Sequence, residues 1–211
     1  DQLDPSIEDS EPCCQNELDP SVYIIQAQDL EGNPLVTIAN YANHPCNAPW
    51  ETKLTTADYI YNYREEMKKR TGAPAMFMQS FEAAVHAGPK LRELGPADDF
   101  DTSDAFGAVF ADAVEAGLAN LTETTSYEIM HKWTTFDSIV GPESQLVFML
   151  ETFDMPKRSI TVLTDEEGEK QYQINGVEVS WHKFGDAELA LYPGEGTPHT
   201  SFFYRSKMVS P

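Results

Sequence analysis

The feature that most constrains this chain is a change of hydrophobic period between residues 22 and 81. Two β-rich runs, "VYIIQAQD" and "PLVTIANYA", flank "LEGN", whose Gly32 and Asn33 suit a tight turn, so the pair reads as a hairpin. From Thr56 the pattern turns helical: Ile60, Tyr63 and Met67 lie on one face, Thr55 or Thr56 can cap the start, and Gly72 before Pro74 ends it. Pairs of Glu65 with Lys69 and of Glu66 with Arg70 are expected on the solvent side, and Tyr59, Tyr61 and Tyr63 are read as packing residues. The apolar run "PAMFMQSF" follows at once. Strand, helix and strand in that order predict a βαβ unit with parallel strands.

"DTSDAFGAVFADAVEAGLANLTE" predicts a second helix, with Phe106, Val109, Phe110, Ala113, Val114 and Leu118 as its apolar stripe and Ser103 as its cap. From Ser126 onward the chain reads as strands: "SYEIMHKWTTF", "QLVFMLETF", "RSITVLT", "KQYQING", "VEVSWHKFG" and "AELALYPGE", with "EEGE" and "NG" as turn signals. The expected fold class is therefore mixed α/β, with a βαβ-containing first half, a strand-rich second half and helices packed on a mixed sheet. Residues 1–20, acidic and with three prolines, read as an irregular arm, and 21–211 as a single domain.

Lys+Arg 14 against Asp+Glu 35 gives a net charge of -21, which repels phosphate backbones and excludes nucleic acid as an expected partner. No apolar run reaches transmembrane length. Asp1 as first residue suggests a processed chain, and a removed secretory segment is one way to produce it; the sequon at Asn120 fits a secreted glycoprotein. The three cysteines are Cys13, Cys14 and Cys46. A disulfide from Cys46 to Cys13 or to Cys14 would leave one thiol over, available to another chain.

The five histidines, His44, His86, His131, His182 and His199, form no HExxH pair, so a metal site must gather ligands from distant segments. No GxSxG nucleophile elbow is present. His44 and His199 stand out because each falls where a strand gives way to a proline-containing loop, the usual ligand position in α/β proteins. "LYPGEGTPHT" adds Glu195 to His199, and an imidazole and a carboxylate converging from two strand ends would suit zinc.

In content and order, "DPSVYIIQAQDLEGNPLVTIANYANHP", "LTTADYIYNYREEMKKRTGAPAMFMQS" and "FGDAELALYPGE" resemble the neutral, non-lysosomal ceramidase superfamily. The resemblance runs from about Asp19 to Thr200 and is sparse between Ser126 and His182. It implies a catalytic zinc held by two histidines, a glutamate and a tyrosine, with a zinc-bound water attacking the amide bond of an N-acylated lipid. By position His44 matches one zinc histidine and Glu195, within "PGE", the zinc glutamate; His199 is a further candidate ligand. The resemblance also implies that the 21–211 domain is incomplete in this chain, and that Trp50, Phe81 and Phe100 are either lining for an acyl chain or core.

Three departures qualify that implication. The family's other zinc histidine lies upstream of anything present, its zinc tyrosine has no match between "PGE" and Pro211, and Ala83 and Ala84 stand where the family carries Gly-Asp after the strand equivalent to "AMFMQ". No catalytic group beyond the ligands is assigned. Two readings follow. One is a ceramidase-like, zinc-dependent amide hydrolase acting on a lipid-like amide, its site completed by other chains of the same precursor. The other is a secreted, acidic binding or structural protein, a pseudoenzyme that assembles with other chains.

Overall fold

The computed structural model describes residues 19–48, 53–83, 85, 100–140, 160–164, 168, 170–198 and 200–201. Residues 1–18 of the arm, with Cys13 and Cys14, as well as Trp50, Ala84, His86, His199 and the "QLVFMLETF" run lie outside these residues. The chain forms two compact units, one of residues 1–122 with 195–211 and one of residues 123–194.

In the first unit, β1 (Tyr23–Gln28) and β2 (Pro34–Tyr41) form the expected antiparallel hairpin. Its turn is built by Asp29, whose carboxylate accepts from the backbone N–H of Glu31 and of Asn33, while Gly32 takes a φ of 86°. Helix α1 (Tyr59–Thr71) then carries the chain to β3 (Ala75–Gln79), which pairs in parallel with β2, giving the order β1-β2-β3. Gly72, at φ 73°, ends α1 with its N–H on the Lys68 carbonyl, as its sequence position requires.

Helix α2 (Asp101–Leu118) packs with α1 against this sheet. The core is aromatic: Tyr59 meets Phe106 edge-on at 4.7 Å between centroids, and Tyr63 meets Phe110 at 4.8 Å. Around these rings close Ala39, Met67, Ala75, Ala111 and Val114.

Several local expectations are corrected. The cap of α1 is Asp58, and neither Thr55 nor Thr56 caps the helix directly; the Thr56 hydroxyl accepts from the Asp58 N–H instead. Lys69 pairs with Glu66 at 2.7 Å, since the i,i+3 carboxylate lies nearer than Glu65, and Glu66 also reaches Arg70 at 3.7 Å. Tyr59 and Tyr63 are buried but Tyr61, on the opposite face, is exposed. Ser103 is buried within the first turn of α2, and Val109 and Ala113 are exposed: the inward face runs through Phe106, Gly107, Phe110, Ala111 and Val114. Gly107 turns this face toward α1 because only a residue without a side chain fits there.

The second unit is an antiparallel sheet of β4 (Ile129–Val140), β5 (Ile160–Thr164), β6 (Lys170–Phe184) and β7 (Ala187–Leu191). Strand β6 is central: β4 covers one edge, while β5 and β7 share the other. "NG", expected as a turn between two strands, lies inside β6. Gly176, at φ 67°, accommodates an extra residue opposite Asp137, whose carboxylate accepts from the Gly176 N–H at 3.0 Å; the motif makes a bulge and the strand continues.

Candidate metal centre

The parallel pairing of β2 and β3 sets two strand ends side by side, with Tyr41 opposite Gln79. Three residues beyond the one stands His44, and three beyond the other stands Glu82. Carboxyl ends of parallel strands are where open α/β sheets present ligand-binding groups. The two loops are stitched together: the His44 N–H donates to the Val85 carbonyl at 3.0 Å, and the Gln79 side-chain amide donates to the Asn43 carbonyl at 3.0 Å.

Glu195 arrives from a distant part of the sequence, and the loop after β3 captures it as well. The Ala83 N–H donates to the Gly196 carbonyl at 3.1 Å, and Gly196 lies against the Phe81 ring so closely that a Cβ there would collide with it. The loop that follows β3 thus bridges His44 on one side and Glu195 on the other.

The result is a group in which one ligand atom from each of His44, Glu82 and Glu195 lies within 4.8 Å of the others. His44 Nε2 is 3.6 Å from Glu195 Oε2. Glu82 is buried at 9% exposure, whereas the Glu195 side chain is 64% exposed. Burial pushes the Glu82 carboxyl above its ordinary value; the Glu195 carboxylate adds to the rise, and His44 and the Gln79 amide oppose it.

One imidazole nitrogen and two carboxylates form a donor set that suits zinc. Bond lengths of about 2.0–2.1 Å place neighbouring tetrahedral ligands roughly 3.3 Å apart, a separation the His44–Glu195 pair nearly has already. A cation there would also neutralise two adjacent carboxylates, one of them buried.

The sequence singled out His44 and Glu195, and the structure brings them together; it adds Glu82, which had not been singled out. The signal for Glu82 was its place as the first carboxylate after β3, in register with the histidine after β2. His131 and His182 lie in the second unit, where their rings stack at 4.6 Å. Asn120 is exposed just beyond α2, and Cys46 is exposed two residues after His44. Phe81 packs on Gly196, and Phe100 directly precedes α2.

Among solved structures, the neutral ceramidase from Pseudomonas aeruginosa superposes with a TM-score of 0.60 at 18% identity, over 90% of this chain and 36% of that one. The fold is ceramidase-like. A second structure, a ceramidase complexed with C2, gives a TM-score of 0.59 at 16% identity, over 90% of this chain and 38% of that one. This chain therefore spans little more than a third of the length of these ceramidases, and what it shares with them at such identity is the fold. No family model and no curated relative matches the sequence. No described helix of this ceramidase-like fold is long and apolar enough to cross a membrane.

Proposed function

We propose that this chain is a ceramidase-like, metal-dependent amide hydrolase domain in which zinc is held by His44, Glu82 and Glu195. The observation that carries the reading is the convergence of these three side chains within 4.8 Å at the strand ends of a ceramidase-like fold. Three protein ligands with a fourth position left open is the arrangement of catalytic zinc, whereas structural zinc is closed by four. When bound, the metal supplies Lewis-acid chemistry for cleavage of an amide. The chain's own part is to hold the ligands in register, with Glu82 buried and Glu195 at the solvent edge. By analogy with the structural relatives, the substrate class is an N-acylated lipid, and the acidic composition and the Asn120 sequon suit a secreted setting.

The test is zinc binding by calorimetry on metal-stripped protein, together with hydrolysis of an N-acyl lipid amide before and after chelation. Binding near one equivalent, lost in His44→Ala, with chelator-sensitive hydrolysis, is expected. Absence of zinc binding would overturn the reading. Zinc binding without hydrolysis would favour the second reading, a non-catalytic binding protein that assembles with other chains. That reading draws support from Ile129 and Trp133, exposed at 77% and 63% on β4, and from Ala83 at a family glycine position.

A further inference from the structure

We infer that Asp58 is a positioning residue that holds the His44 loop in its ligand-presenting shape. This deepens the metal-site reading and, for its effect on metal binding, rests on it. Asp58 is the only non-glycine with positive φ among the described residues, at φ 53° and ψ -147°, a strained region that is essentially reserved for glycine. It is also buried, at 4% exposure.

An aspartate can cap a helix without such strain, by accepting from the second or third helical N–H from an ordinary extended conformation. Asp58 does something else. Its Oδ1 accepts from the Tyr59 N–H at 2.6 Å, and its Oδ2 accepts from the Ala48 N–H at 2.6 Å. Tyr59, the next residue, donates its buried hydroxyl to the Asn43 carbonyl at 3.0 Å. Burial pushes that phenol up, so it stays a donor.

The start of α1 therefore grips both ends of the segment 43–48, with His44 between the grips. Within the same segment the Asn47 side-chain nitrogen is buried with no hydrogen-bond partner among the described residues, a second local cost. Two unfavourable features meet where the loop is tied to the helix, and the strained conformation is what aims a carboxylate at Ala48. The strain is thus linked to the placement of a ligand loop, which is where such strain tends to be kept.

Asp58→Gly relieves the backbone strain and removes the carboxylate; Asp58→Asn keeps the shape and one acceptor. In metal-free protein, amide exchange at Ala48 and the His44 ring resonances read the loop directly by NMR, while zinc competition with a chromophoric chelator reads affinity. Expected for Asp58→Gly is lost protection at Ala48, shifted His44 resonances and an affinity loss of about tenfold or more, the range for removing groups that orient metal ligands. Asp58→Asn should fall between it and wild type, and provides the folded comparison if the glycine variant is unstable. Unchanged Ala48 exchange and His44 resonances in both variants would overturn the inference whatever zinc does. Perturbed loop signals in a protein whose wild type binds no zinc would leave the positioning role standing and overturn the metal reading instead. Perturbed loop signals with undiminished zinc affinity would overturn the role in metal binding.

Discussion

Glu82 is subject to opposed demands. As a ligand it must be ionised, yet burial raises its pKa above the free-carboxyl value of 4.5. Because the folded form binds its proton more tightly than the unfolded form, stability contributed by the neutral acid is fully present below 4.5 and is lost as pH rises through the raised value. Metal-free Glu82→Gln should therefore melt at or above the wild-type temperature at pH 7, with the difference vanishing below the unfolded carboxyl's pKa. Zinc affinity should fall at least about tenfold in the same variant. Calorimetric melts at acid and neutral pH, paired with zinc titration, would decide; a variant less stable at neutral pH would contradict the argument. The site itself was half legible in the sequence. His44 and Glu195 could be found from their strand-end settings and from family resemblance, but Glu82 depends on the β2–β3 register, which appears only once the strands are paired.

At the scale of elements, one tight constraint is the crossing of α2 over α1. A Cβ at Gly107 would come 2.6 Å from the Tyr59 carbonyl oxygen and 2.9 Å from the Tyr63 nitrogen, both backbone atoms that cannot rotate away. At Gly117 the obstacle is the tip of the Ile24 side chain, which can. Alanine at either site gains up to about 1 kcal/mol of helix propensity. Gly107→Ala should nonetheless destabilise by roughly 1–3 kcal/mol through overpacking, while Gly117→Ala should stay near neutral. Urea denaturation measures both, and equal effects would show that the helix crossing is looser than it looks. The hairpin, the parallel crossover and the end of α1 were legible because turn residues and hydrophobic periods dictate them locally. The inward face of α2 was not: Phe106, Phe110 and Val114 were recognisable as core, but the choice of Gly107 and Ala111 over Val109 and Ala113 is made by α1, which demands small residues on that side. Likewise "NG" supports a turn or a bulge equally well, and cross-strand pairing with Asp137 selects the bulge.

For the molecule as a whole, the net charge of -21 sets how stability responds to ionic strength. Self-repulsion among like charges opposes the compact state. The opposing contribution is local: Arg70 lies 2.8 Å from Asp112, 2.9 Å from Glu115 and 3.7 Å from Glu66, and Lys183 lies 2.9 Å from Glu128. Such surface pairs contribute little, and Arg70 already shares its charge among three carboxylates. Salt weakens both effects, but at a Debye length of about 30 Å at 0.01 M the repulsion acts across the molecule, and at roughly 3 Å at 1 M it is confined to contacts. The long-range repulsion therefore has more to lose. Tm should rise between these two sodium chloride concentrations, by at least the roughly 2–4 °C that about 1 kcal/mol produces in a chain of this size. A fall in Tm would mean that the Arg70 and Lys183 pairs outweigh the global repulsion. Comparing wild type with Arg70→Met separates the two contributions, since the variant loses the largest local attraction and should show a steeper rise with salt.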